Sequence, residues 1–336
     1  MSTPTPPSEL VRRFRGWVGW GIAAASLLYV GGTVLAGFRE VGTALVGFAW
    51  PLYVPVLLLT LVNYGARFWK WDYLLRRVGV VLPARDNLVI FVAGLAMVLS
   101  PGKAAEVLKP WLVRARTGAP LTRTVPVLVA ERLTDGIAVL ALAAVSVGRY
   151  AGDRAVYVWG PIALVAVGLA VLAHDGLSRG AVAVLARIPW VGRIAPRVAE
   201  MLASMRVCLA PGPLLLTLAV SAVAWWAECV GYWLVFRGFD AAVSLELSTF
   251  LYAFATVAGG AMPGGLGMAD GALAGGAVQL AGVPEGVAVA AALLVRVATL
   301  WFGVVLGGLV MPRVARLVEE APAEPTAPDA GPSATG

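Results

Sequence analysis

The chain has 336 residues, of which 60% are hydrophobic and only 13% charged, with a mean hydropathy of +0.83. That much apolar surface exceeds what a soluble domain can bury. The bilayer is therefore the solvent, and runs of about 20 apolar residues, rather than short alternating strands, point to helices and exclude a β-barrel. The net charge of +7 reads as membrane topology, because Lys and Arg collect in cytoplasmic loops, and not as nucleic-acid binding.

The first residues, 1–16, are rich in Pro, Ser and Thr. They carry Arg12, Arg13 and Arg15 ahead of an apolar segment without a cleavage site, so they read as a cytoplasmic tail and not as a signal peptide. Apolar spans are expected at 17–36 and 43–65, the second with Pro51 and Pro55 inside. The stretch 66–87 carries Arg67, Lys70, Arg76, Arg77 and Arg85 with Trp69, Trp71 and Tyr73 between them, and reads as an interfacial helix on a membrane face. The next apolar run, 88–99, covers about 18 Å, short of the ~30 Å hydrocarbon core. Pro101-Gly102 follows, then 104–113, which is shorter still. Full spans resume at 124–147 and 155–173. The basic segment 174–213 is expected to lie on the membrane surface and 214–236 to cross it. The run 247–261 is again half a span; Pro263-Gly264-Gly265, a Gly/Ala-rich piece at 268–281 and a last span at 286–310 complete the pattern.

Charge at a break in an apolar run is tolerated where the break lines something polar. Lys103, Glu106 and Lys109 follow the first break at i, i+3, i+6, so on a helix they share one side and Glu106 can pair with either lysine. Asp270 follows the second break. If each break is the tip of a re-entrant hairpin and the N-terminus is inside, the inside segments hold most of the 26 Lys and Arg, and the outside loops hold only Arg39, Arg149, Arg154 and Arg237. Reading 88–113 as one span would invert every later loop. The expected fold is therefore an all-α polytopic membrane protein of about six full transmembrane helices plus two re-entrant broken-helix hairpins, entering from opposite sides. It occupies 17–312, ahead of a disordered cytoplasmic tail at 313–336.

Glu106 to Arg132 and Asp270 to Arg296 span the same interval of 26 residues, which suggests an inverted repeat with a central site where the broken helices meet. The alternative is coincidence, since Pro-Gly breaks are common in Gly/Ala-rich membrane helices. Glu131, Arg132 and Asp135 lie on one arc of a helix, and Glu228 sits in a later span. An isolated charge costs about 2.5–3.5 kcal/mol at the midplane, and the buried acids and bases nearly balance, so pairing across helices is expected. Glu131 and Asp135, placed near a cytoplasmic end, either staple the bundle or serve the site. Arg132 and Arg296 suit a phosphate-bearing head group or a salt bridge to Glu106 or Asp270. Trp225, Tyr232 and Trp233 read as packing or interfacial aromatics. The sequence has no phosphate-binding loop, no His/Cys metal cluster and no Gly-x-Ser-x-Gly elbow, and no cofactor is expected.

Asn63-Tyr64-x-x-Arg67-x-Trp69, Pro101-Gly102-x-x-x-Glu106-x-x-Lys109, Glu131-Arg132-x-x-Asp135, Pro263-Gly264-Gly265-Leu266-Gly267 and Arg296 together resemble the flippase-like transmembrane region of lysylphosphatidylglycerol synthases. The resemblance runs from about 18 to 310. It departs where Asp270 replaces an expected Glu and Ala105 an expected Gly. It implies movement of a lipid with a modified or anionic head group between leaflets of the cell membrane. The expected substrate-binding groups are Lys103, Glu106, Lys109, Glu131, Arg132, Asp135, Asp270 and Arg296, at breaks formed by Pro101, Gly102, Pro263, Gly264 and Gly265. The membrane part uses the whole 336 residues, so a soluble aminoacyltransferase domain is not expected, and the protein reads as a transporter and not an enzyme. Two other readings remain: a membrane transferase using Glu131 and Asp135 as base or metal ligands, or an accessory partner of a lipid or glycan synthase.

Overall fold

The computed structural model describes residues 37–99, 107–145 and 195–319, with isolated positions at 27, 31, 159–160, 162–164 and 167–168. Apart from those isolated positions, the expected spans at 17–36 and 155–173 lie outside the described residues, as do the N-terminal tail, 320–336 and the first break with Pro101, Gly102, Lys103 and Glu106; 313–319, expected as the start of a disordered tail, instead continue the last helix. Among the described residues all regular structure is helical. The α-helices are α1 (Phe38–Val46), α2 (Tyr53–Arg77), α3 (Ala84–Ala96), α4 (Leu108–Thr117), α5 (Leu121–Val145), α6 (Ala195–Cys208), α7 (Pro211–Gly238), α8 (Leu245–Ala258), α9 (Met268–Ala281), α10 (Glu285–Arg296) and α11 (Phe302–Glu319).

Among the described residues three helical stretches are long and apolar enough to cross a membrane: Trp50–Arg77, Pro211–Gly238 and Glu285–Glu319. The first corrects the sequence expectation. No helix ends at Gly65, and 66–87 is not an interfacial helix. Pro51 and Pro55 sit in the opening turns, where a missing N–H costs nothing, and no breaker intervenes before Arg77. Lys70 and Trp71 are fully buried, which an interfacial position would forbid. The half-span expectations correspond to short helices. α3 gives way to a 3-10 turn at Met97–Leu99, and α8 to 3-10 turns at Gly259–Ala261 and Pro263–Gly265.

The apolar side chains form two large clusters. One gathers Val56, Val139, Cys229, Tyr232, Leu251, Leu273 and Val295. The other gathers Trp71, Leu74, Ile90, Leu112, Val127 and Met311. Between them runs a polar layer. Along α2 the order is Val56, then Thr60, Asn63, Tyr64, Arg67 and Lys70, then Trp71 and Leu74. Along α5 it is reversed: Val127, then Glu131, Thr134 and Asp135, then Val139. α2 and α5 therefore cross the layer in opposite directions. α7 runs with α5, and α10–α11 run with α2. α3 and α4 pack into one cluster and α8 and α9 into the other. The two broken segments thus approach the layer from opposite ends, and they meet where Leu99 touches the second break.

Close helix approach fixes several glycines. A Cβ on Gly307 would lie 2.5 Å from the Ala96 Cβ and 2.8 Å from the Ala96 backbone N, where α11 crosses α3. Gly308, on another face of the same helix, has nothing within 4 Å. Overpacking against backbone costs about 1–3 kcal/mol. Gly307→Ala is therefore expected to lower the thermal unfolding midpoint in detergent while Gly308→Ala leaves it unchanged; equal midpoints would contradict this packing.

Candidate functional site

The site is built from residues that share one face of each helix. On α2, Asn63, Tyr64, Arg67 and Lys70 follow helical spacing and point inward together. On α5, Glu131, Thr134 and Asp135 do the same, and on α7 Thr217, Ser221 and Glu228. Asn63 donates to the Ala224 carbonyl at 2.9 Å, tying α2 to α7.

Two buried lysines hold the two acids of α5. The Lys70 ammonium lies 2.5 Å from Asp135 Oδ1 and donates to Ser221 Oγ at 2.7 Å, Thr134 Oγ1 at 3.2 Å and the Glu131 carbonyl at 3.2 Å. Ser221 also donates to Asp135 Oδ1 at 3.0 Å. The Lys109 ammonium, from α4, lies 2.7 Å from Glu131 Oε2 and 4.2 Å from the centre of the Trp71 ring. Its stem crosses α3 at Gly94, where a Cβ would lie 2.5 Å from the Lys109 Cδ. Arg132 reaches the other Glu131 oxygen at 3.1 Å. Arg67 faces both acids, Asp135 Oδ2 at 3.4 Å and Glu131 Oε1 at 3.8 Å, with its guanidinium carbon 5.7 Å from the Trp225 ring centre. Glu131 and Asp135 thus sit midway along α5 in the polar layer, not near an end of a span as expected. Lys109 pairs with Glu131, and Glu106, its other expected partner, lies outside the described residues.

The second break is held by Arg296. Its Nε donates to Asp270 Oδ1 at 2.9 Å, and its Nη2 donates to the Gly264 carbonyl. Asp270 Oδ2 accepts from the Gly267 N–H at 2.8 Å, capping α9. Gly264, Gly265 and Gly267 all have positive φ, at 59°, 71° and 81°, which explains the glycine density of this turn. Just beyond Arg296 the helix widens to a π-segment at Val297–Trp301, and Tyr64 donates to the Thr299 carbonyl there at 2.9 Å. Such π-segments loosen the backbone ladder and frequently mark functional positions.

These groups surround a cavity of about 390 Å3. Arg67, Lys109, Arg132 and Arg296 line it, with the carboxyls of Asp135 and Glu228; Gly264 and Gly265 form part of its wall. Glu228 is buried, and its Oε2 accepts from the Tyr252 hydroxyl at 2.9 Å. Of the expected site residues, Lys109, Arg132, Asp135 and Arg296 line the cavity, Glu131 and Asp270 hold its cations in place, and Lys103 and Glu106 lie outside the described residues. Arg67, Lys70, Glu228, Tyr252 and Trp225 were not expected as site residues. For Arg67 and Lys70 the available signal was the i, i+4, i+7 spacing from Asn63 on an unbroken helix. Among the described residues no group of three or more His, Cys, Asp or Glu is placed to hold a metal ion.

Helices long and apolar enough to cross a membrane, converging on a buried charged cavity, define a polytopic helical membrane protein. The chain belongs to the family described as the lysylphosphatidylglycerol synthase TM region, whose model matches residues 17–307. No curated protein matches the chain closely enough to extend this.

Removing one partner of a buried ion pair strands the other, at about 3–5 kcal/mol, while removing both recovers part of the loss. Asp135→Asn is therefore expected to destabilise more than the Lys70→Met/Asp135→Asn double variant, measured as thermal unfolding midpoints in detergent. A double variant at least as unstable as the single one would refute the pairing.

Proposed function

We propose that the protein is a lipid transporter of the flippase type, not an enzyme, which moves a lipid with an anionic or modified head group between the leaflets of the cell membrane. The observation that carries this reading is the cavity lining. Among the described residues the lining carries four basic side chains and two carboxyls, with Glu131 and Asp270 set behind the cations. Guanidinium groups match phosphate oxygens bidentately, so Arg67, Arg132 and Arg296 form a receptor suited to a lipid phosphate. Lipid tails would stay in the hydrocarbon while the head group passes through the layer.

In this reading α3–α4 and α8–α9 are re-entrant hairpins that enter from opposite membrane faces, related by an inverted repeat, with about six full spans around them. Both termini are cytoplasmic. Rocking of one half against the other opens the cavity to each side in turn. The contact of Leu99, at the end of the first half-span, with Gly264 in the second break supports this arrangement, since it brings the two broken segments together. A transferase using Glu131 and Asp135 as base or metal ligands would first have to displace the ammonium groups that hold them at 2.7 and 2.5 Å.

In liposomes carrying fluorescently labelled phosphatidylglycerol, the reconstituted protein is expected to move label between leaflets faster than protein-free vesicles. Arg296→Ala should slow this about 10- to 100-fold, the equivalent of about 1.5–3 kcal/mol for one hydrogen bond to a charged group. Wild-type rates equal to those of empty vesicles for phosphatidylglycerol, its aminoacyl esters and phosphatidylethanolamine would sink the reading.

A further inference from the structure

Glu228 differs from every other described carboxyl of the polar layer. Glu131 is held by Lys109, Arg132 and Arg67; Asp135 by Lys70 and Arg67; Asp270 by Arg296. Glu228 makes no ion pair among the described residues, and its one hydrogen bond comes from a neutral phenol, Tyr252. It is 4% exposed, yet it lines the cavity. Glu131 and Asp135 cannot change protonation without breaking buried ion pairs, whereas Glu228 can gain or lose a proton without breaking any.

Its surroundings give that change a consequence. Facing it are Tyr64 and Arg67 from α2, Asp135 from α5, Tyr252 from α8 and Arg296 from α10, all on the same cavity. The two cations, Arg67 and Arg296, are among the three assigned above to the head-group phosphate. When Glu228 is a neutral acid, it makes no claim on Arg67 and Arg296, and an anion from the lipid competes for them only with Glu131, Asp135, Asp270 and the Gly264 carbonyl. When it is a carboxylate, it competes with that anion for the same guanidinium groups. It also competes with Asp270 and the Gly264 carbonyl for Arg296, the side chain that holds the second break closed.

We propose that Glu228 is a proton-binding site whose occupancy is linked to head-group binding, so that one proton and one lipid anion enter and leave the cavity together. The proton is released from Glu228 to water as the phosphate leaves, and taken up from water as a phosphate arrives. The pair carries no net charge, so movement responds to a pH gradient and not to membrane potential. This rests on the lipid-transport reading, but its first test does not.

Infrared difference spectra of the detergent-solubilised full chain across a pH titration are expected to show a protonated-carboxyl C=O band that titrates. The band should vanish in Glu228→Gln and shift in frequency in Tyr252→Phe. A band untouched by Glu228→Gln overturns the site. In vesicles with labelled phosphatidylglycerol, an imposed pH gradient should change the wild-type rate at least about fivefold. An imposed potassium diffusion potential should not change it. Glu228→Gln should move label at a rate independent of the gradient, with a thermal midpoint near wild type to show that it is folded. Wild-type movement indifferent to the gradient overturns the linkage while leaving lipid transport standing. No lipid movement at all, with the infrared band intact, overturns the transport reading and the linkage with it, and leaves Glu228 as a proton site alone.

Discussion

The structure depends on how charge is kept inside an apolar slab. Lys70 and Lys109 are fully or almost fully buried, and so are Glu131 and Asp135. In a low-dielectric interior none of the four is tolerable alone. Each is therefore placed by its partner: Lys70 on α2 by Asp135 on α5 and Ser221 on α7, and Lys109 on α4 by Glu131 on α5. Four helices are registered against one another by two ammonium groups. Apolar packing above and below the layer would permit sliding, because one apolar side chain substitutes for another at little cost. Ion pairs in the layer do not permit it.

The second break follows the same logic with backbone groups in place of some side chains. Where α8 stops and α9 has yet to begin, carbonyls and N–H groups are unspent. Arg296 takes the Gly264 carbonyl, and Asp270 takes the Gly267 N–H. The pair is joined to itself by the Arg296–Asp270 contact. The result is a polar turn at the wall of a cavity, the setting in which irregular backbone survives at membrane depth. It is held mainly by one cation, so whatever competes for Arg296 acts directly on the turn. The π-segment immediately after Arg296 adds a backbone region with weaker internal bonding on the same side.

The parts that were legible in the sequence share a feature: they are encoded locally. Helix breakers at Pro263-Gly264-Gly265, the half-length apolar runs that became α3 and α8, and Asp270 as one of the partners open to Arg296 could all be read along the chain. The stretch after Gly65 was misread because a helix carrying Arg67, Lys70, Arg76 and Arg77 beside tryptophans has the composition of an interfacial helix. Composition does not say which face meets a partner. Arg76 points outward to Asp72 on its own helix, whereas Lys70, less than two turns away, is sealed from solvent by α5 and α7. Glu228 was noticed as charge in a span. That it would be the carboxyl of the polar layer without an ion pair among the described residues could be known only once the described cations of the layer were placed.

The sequence by itself determined the solvent, the helical class, the membership of the lysylphosphatidylglycerol synthase TM region family and the charged break at Pro263-Gly264-Gly265, because hydropathy, Pro-Gly breakers and short motifs are properties of contiguous residues. The tertiary structure alone decided which acid meets which base, that α3–α4 and α8–α9 lie on opposite sides of one polar layer, and that Arg67, Tyr252 and Glu228 share a cavity with Arg296. Those facts are set by helix rotation and crossing. In a chain this apolar, many rotations bury hydrophobic surface about equally well, and only the pairing of buried charges selects one of them.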